Sequence, residues 1–191
     1  SIPHAVLALQ EIGKQTGAFS TEVSDDMAVF DAGTLTEFDA IFLVQTTHLK
    51  FEDFAHRKSL LEFVSEGKGF GGIHAASDNF YTWSQAAAML GGTFIDHPWT
   101  SNGTWRVRVE DPAHPINRGF SNVEFDITDE IYRLHQKELR QNARVLVGLD
   151  MTQKVNRNAK GVRFSDQDTP ISWVRDYEKG CLLYTSDAAD D

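Results

Sequence analysis

The chain contains one cysteine, Cys181, and that scarcity closes off several chemistries at once. No internal disulfide can form, and no metal site built from several thiolates can exist. Positive charge is also short, with 18 Lys and Arg against 28 Asp and Glu for a formal net charge of −10. A surface this acidic repels phosphate backbones, and no Lys/Arg run compensates locally, so nucleic acid is not expected as a partner. No apolar run approaches the roughly 20 residues that a membrane-crossing helix needs, so no membrane span is expected. The opening of the chain does not read as a charged-then-apolar leader either. There is no internal repeat, low-complexity stretch or linker before residue 180.

What is present is an ordinary globular balance. The 191 residues are 41% apolar and 24% charged, which suits one soluble domain, cytoplasmic or periplasmic, with a core that needs no disulfides.

Both ends stand out. The first residues, Ser1-Ile2-Pro3-His4, open a helix at once, with Ser1 able to cap and Pro3 tolerated in the first turn. Ile2, Ala5, Val6, Leu9 and Ile12 then form a one-sided apolar stripe, which normally packs on a sheet. The strand expected before that helix is not in the sequence. At the other end, Cys181 to Asp190 can be written in codons as TGT CTC TTA TAC ACA TCT GAC GCT GCC GAC. This matches the mosaic-end adapter of transposase-based sequencing libraries. Residues 181–191 are therefore expected to be a non-native tail after a domain spanning 1–180, with Cys181 carrying no chemistry. An apolar, β-compatible run at Leu182 to Thr185 would still settle as an edge strand.

Between the ends, Ala18 to Val23 reads as a short strand and Ala40 to Val44 as a strand covered on both faces. Phe51 to Glu66 reads as a helix with Phe54, Leu61 and Val64 on one side. Phe70 to Ile73 is a short strand, and Trp83 to Leu90 a helix ending at Gly91-Gly92. Strand–helix alternation argues for a parallel sheet with crossover helices. Strands are also expected at Thr104 to Val109, Arg144 to Leu149 and Pro170 to Tyr177, with a turn-rich connector at Asp111 to Ile116. Asn156 to Thr169 reads as a flexible polar loop. The fold class is thus α/β, one domain with a mostly parallel sheet.

The candidate chemistry gathers around Gly67 to Asp78. A short strand ends at Ile73, small residues follow, and ligands of open parallel sheets bind beyond strand carboxyl ends. His74 sits at that edge, and His48 follows another strand end. Asp78 either orients the His74 imidazole or, more plainly, caps the helix near Trp83. His97 follows a strand-like stretch and is a pocket candidate, whereas His114 in its His-Pro turn reads as loop-fixing. Asp129, Glu130 and Tyr132 place two carboxylates and a phenol together, an acid–base set if burial raises one pKa. Tyr81, Trp83 and Trp99 are candidate sugar-stacking surfaces, although such aromatics are more often core.

Four segments, GGIHAASDNFYTW, GGTFIDHPW, VEDPAHPINRGF and DEIYR, together resemble the trehalose-utilisation (ThuA-like) family over essentially Ser1 to Gly180. The resemblance implies a class I glutamine amidotransferase-like fold, a flavodoxin-like variant, and a bacterial role in sugar catabolism around trehalose or oxidised disaccharides. In true glutamine amidotransferases a cysteine nucleophile occupies the turn that here holds His74, so glutaminase chemistry is excluded. The family's first strand and closing Gly-His segment are not in the sequence.

The expectation is therefore acid–base chemistry on a sugar, with His74 and Glu130 catalytic. His48, Asp78, Tyr81, Trp83, His97, Trp99, Asp129 and Tyr132 are the expected substrate contacts. Hydrolysis, isomerisation and elimination all stay open, and the alternative is a non-catalytic sugar-binding or accessory domain. No cofactor is expected. A metal-dependent hydrolase using His48, His74 and His97 with Asp78 or Asp96 is chemically adequate but lacks a tight His-x-x-x-His spacing.

Overall fold

The computed structural model describes residues 2–135 and 139–185. Helix α1 (Ile2–Thr16) forms where its apolar stripe predicts and stops at Gly17, whose φ of 65° suits a residue without Cβ. The stripe is only half covered: Ala5, Val6 and Leu9 are partly buried, while Ile2 and Ile12 stay exposed. Residues 18–26 then run exposed and outside any strand, so the one expected at Ala18 to Val23 does not form. No apolar alternation strong enough to hold a sheet edge is present there. A short helix, α2 (Ala32–Leu35), precedes strand β1 (Ala40–Val44).

Strand β1 is an edge strand with only Leu43 fully buried, which corrects the two-sided cover expected from its apolar run. Helix α3 (Phe54–Ser65) crosses back from β1 to the parallel strand β2 (Gly69–Ile73). Asp53 caps it by accepting from the Ala55 N–H at 2.7 Å. Its buried face is Leu60, Phe63 and Val64, whereas Phe54 is 79% exposed. At about 100° per residue, Phe54 and Leu61 fall on the flank of that face rather than its centre. The glycines of β2 are needed for closeness: a Cβ at Gly71 would run into the Phe42 ring, and one at Gly72 would meet the Ala76 Cβ at 2.5 Å. Helix α4 (Ser84–Leu90) follows and ends at Gly91, with φ 95°.

From here the architecture departs from a mostly parallel sheet. Strand β3 (Thr93–Trp99) pairs antiparallel with β6 (Ile131–His135) in a separate two-stranded ribbon. Strands β4 (Trp105–Val109), β5 (Glu124–Ile127), β7 (Arg144–Leu149), β8 (Pro170–Tyr177) and β9 (Gly180–Thr185) join β1 and β2 in a seven-stranded sheet. Its order is β1-β2-β9-β8-β7-β4-β5. Only β1–β2 and β2–β9 are parallel; the other four pairings are antiparallel. The reason is connection length. Parallel neighbours need a crossover of a dozen or more residues, whereas β8 and β9 are separated by Glu178 and Lys179 alone, a hairpin with Glu178 at φ 52°.

Strand β9 lies inside the sheet, between β2 and β8, and not at an edge as expected for Leu182 to Thr185. Leu182 and Tyr184 are fully buried and Cys181 is exposed. The stretch expected to be a flexible loop, Asn156 to Thr169, is instead tied down. It continues from the short helix α6 (Lys154–Arg157), buries Asn156 and Asp166, and contains a 3-10 turn at Phe164–Gln167. A further short helix, α5 (Leu139–Asn142), leads into β7.

Candidate active site

Strand β2 delivers His74 to the carboxyl edge of the parallel part of the sheet, as the strand–turn pattern predicts. The backbone turns sharply there. His74 has φ 54° and starts a 3-10 turn to Ser77; Gln45 (φ 50°) and His48 (φ 53°) beyond β1, and Phe80 (φ 65°), share that left-handed conformation. Non-glycine residues rarely adopt it. Buried Asn79 ties the two strand-end loops together. Its side-chain oxygen accepts from the Leu49 N–H at 2.5 Å, and its amide nitrogen donates to the Thr46 carbonyl, the Thr46 hydroxyl and the Ala75 carbonyl. Nothing in the sequence beyond the asparagine itself signals this staple.

The ribbon of β3 and β6 brings the other half of the site. Glu130 lies just before β6 and Tyr132 within it, and both reach the same atom of His74. His74 Nε2 is 2.9 Å from Glu130 Oε1 and 2.8 Å from the Tyr132 hydroxyl. Glu130 Oε2 in turn lies 3.2 Å from His97 Nδ1, so one carboxylate bridges two imidazoles. The register of β3 against β6 breaks on both sides of Asp96, and the second break, between Asp96 and Trp99, contains His97. The His74 side chain is 12% exposed, Glu130 26% and His97 47%, a gradient from sheet edge to solvent.

Electrostatics fix the role of Tyr132. Burial first, then the Glu130, Asp78 and Asp129 carboxylates and neighbouring Tyr81, push its phenol well above the ordinary tyrosine range. It is a proton donor or a neutral acceptor, not a phenolate. Its ring packs 4.4 Å from the His74 ring and 4.5 Å from that of Phe94. Asp129 shapes the approach, its Oδ1 accepting from the Glu130 N–H at 2.7 Å, while its Oδ2 is buried without a partner among the described residues.

The remaining candidates separate. Asp78 neither orients His74 nor caps α4, whose cap position is Trp83 and has no side-chain hydrogen bond. Asp78 instead accepts from the Tyr81 hydroxyl and lies 3.5 Å from His48 Nε2. Burial and then that carboxylate raise the Tyr81 phenol as well. Trp99 has no exposed surface and donates its indole N–H to the Asn156 carbonyl at 2.9 Å, so it is a core residue and not a stacking platform. Trp83 is also buried, packed among Phe51 and Phe80, and shows only a margin to the hollow that His48 and Tyr81 line. His114 caps its 3-10 turn, Nδ1 accepting from the Ile116 N–H at 3.3 Å. Among the described residues, no group of three or more His, Cys, Asp or Glu side chains is arranged to hold a metal ion. His48 sits with Asp78, and Asp96 is taken by Arg133.

Two supports had no sequence signal. The Tyr184 hydroxyl lies 2.7 Å from both the His74 carbonyl and Ser77 Oγ, beneath the turn. Behind the ribbon, buried Arg133 is saturated: Nε and Nη2 donate to Asp166, Nη1 to both oxygens of Asp96, and Nη2 to the Gly161 carbonyl.

The family model described as trehalose utilisation, ThuA, matches residues 1–187. The chain belongs to the ThuA family. Two solved ThuA-like proteins share this fold. The one from Bacteroides uniformis is 22% identical at a TM-score of 0.75, covering 96% of this chain and 73% of its own. That from Parabacteroides merdae is 18% identical at 0.67, covering 97% and 73%. A β-galactosidase from Bacillus circulans contains a similar fold within a much larger chain, at 12% identity and a TM-score of 0.52, over 79% of this chain and 20% of that one. None of the curated proteins compared matches the sequence. Among the described residues of this ThuA-family chain, no helix is long and apolar enough to cross a membrane.

Proposed function

We propose that this ThuA-family chain is a carbohydrate-processing enzyme that moves protons on a sugar of the trehalose or keto-disaccharide type. The observation that carries the reading is the convergence of Glu130 and Tyr132 on one nitrogen of His74, with His97 on the second carboxylate oxygen. Two ionisable groups sharing a single partly buried nitrogen supply the contacts that proton transfer requires, which favours catalysis over binding alone.

The valence of Nε2 defines how it works. In one state Nε2 carries the proton and donates toward Glu130, with the Tyr132 oxygen beside it. In the other Nε2 presents its lone pair and accepts from the Tyr132 O–H, which burial and then the surrounding carboxylates keep protonated. Glu130 favours the first state and Tyr132 steadies the second; when a sugar hydroxyl, or a C–H next to a carbonyl, takes the place of the Tyr132 O–H, the Nε2 lone pair accepts its proton, the new Nε2–H donates to Glu130, and the reverse step returns it. His97, the more exposed imidazole, links the pair to solvent.

The test is turnover by Glu130→Gln and His74→Asn against trehalose, its oxidised keto forms and related glycosides. Asparagine tolerates the left-handed backbone at position 74 better than most residues. Each variant is expected to lose about 10²–10⁴-fold in kcat while retaining sugar binding. A parent protein that binds these sugars and turns none of them over supports the accessory binding domain instead.

A further inference from the structure

A second hollow, of about 310 Å³, is lined by both partners of the Asp78 carboxylate, His48 and Tyr81, and the same carboxylate acts on the Tyr132 phenol. Lys50, Glu52, Arg57 and Trp83 complete the part of its wall that matters here. Its charge runs against the rest of the molecule. The whole chain carries −10, yet this wall offers Lys50 and Arg57 against one carboxylate, Glu52. Lys58, Lys68, Arg140 and Arg144 each sit on a carboxylate. Lys50 and Arg57 form no such ion pair among the described residues.

Arg57 is also held ready. Its Nε donates to the Phe51 carbonyl at 2.5 Å, and its guanidinium lies 5.3 Å from the Phe54 ring centroid and 5.6 Å from that of Trp83. A guanidinium stacked between rings and pinned at one nitrogen loses little freedom when its remaining N–H groups meet a planar or tetrahedral oxyanion. Aromatic walls beside a fixed polar anchor are the usual make-up of a small-molecule site.

We propose that this hollow is a subsite for an anionic group, a carboxylate or a phosphate, carried on the part of a sugar ligand that extends away from His74. The proposal rests on the reading of the His74 crevice as a sugar site, and its test is independent of turnover. D-glucuronate, D-glucose 6-phosphate and D-glucose are titrated into the full chain while the Trp83 indole N–H resonance is followed by NMR, assigned by its loss in Trp83→Phe. The two anionic probes are expected to shift that resonance with at least tenfold tighter Kd than glucose, and whichever binds tighter identifies the anion. Arg57→Gln is expected to bring the anion-to-glucose ratio to within about twofold, while Arg57→Lys restores part of it. Should Arg57→Gln fold poorly, Lys50→Gln on its exposed side chain is expected to lower the ratio severalfold. Equal affinity for glucose and the anions, anion binding that leaves Trp83 unmoved, or a ratio untouched by both substitutions would overturn the subsite. Glu130→Gln is expected to lose turnover and keep the ratio, so failure of the catalytic reading and failure of the subsite appear in different measurements.

Discussion

Replacing Arg133 with methionine removes a cation that the fold has sealed behind the ribbon carrying Glu130 and Tyr132. Arg133 is buried, and so is Asp166, which accepts from its Nε at 2.9 Å and its Nη2 at 2.6 Å. After the substitution Asp166 keeps only the Arg163 backbone N–H at 2.6 Å. Breaking one side of a buried pair typically costs about 3–5 kcal/mol, because the other charge stays buried without its partner. For a chain of this length that corresponds to a fall in Tm of roughly 10 °C.

The pH dependence of this change has a definite sign. In the parent, burial works to raise the Asp166 carboxyl, but the hydrogen bonds and charges of Arg133 and Arg163 outweigh it and hold the pKa below the usual value. A depressed carboxylate stabilises the fold above its unfolded pKa of about 3.9, and that contribution is lost as pH falls through the folded pKa. In the variant, burial without Arg133 raises the same carboxyl, so its penalty is largest at neutral pH and is relieved on acidification. Thermal unfolding followed by circular dichroism at pH 7 and pH 4 should therefore show a wide gap that narrows. A second substitution, Asp166→Leu in the Arg133→Met background, should recover a large part of the loss. A gap below about 1 kcal/mol, or one that does not change with pH, would refute the reasoning.

The raised Tyr132 phenol predicts that absorbance titration at 295 nm shows no ionisation of this residue through the ordinary tyrosine range near pH 10, so that the parent and Tyr132→Phe give matching curves there. An extra tyrosinate signal in the parent below that range would remove the donor role. For residues 181–191, sequencing the source DNA with a different library chemistry should give another continuation after Gly180, one that keeps apolar residues in the buried slots now held by Leu182 and Tyr184. Recovery of the same codons would rule out the adapter origin.

How much the sequence disclosed depended on how local the cause was. Strands β7 and β8 read true to the residue because apolar, β-branched runs bounded by turn residues depend on little else. His74 was legible because a glycine-rich strand followed by alanines constrains the backbone directly. The sheet's direction was misread because strand–helix alternation holds only as far as α4, whereas the Glu178-Lys179 hairpin, visible as a two-residue gap, dictates an antiparallel return. Trp99 and Asp78 misled for another reason. Whether an aromatic faces a pocket, or which of two nearby groups a carboxylate serves, depends on partners distant in sequence: Asn156 for Trp99, and His48 with Tyr81 for Asp78. The Arg133 network lies entirely in that class, since its partners are 28 to 37 residues away.

The left-handed residues at 45, 48, 74 and 80 share one rim of the molecule, where both strand-end loops meet around His74. Such conformations cost of order 1–3 kcal/mol each for a residue with a Cβ. The rim is thus the least relaxed part of the backbone, held in shape by the Asn79 staple and the packed sheet beneath it. Engineering for heat resistance would find ready gains there, since glycine at 45 relieves the torsion, whereas at Phe80 the lost core packing would outweigh it. Those same gains would release the loops whose stiffness aims His48 and His74, so thermal hardening of this fold belongs on the opposite face, around the half-covered α1.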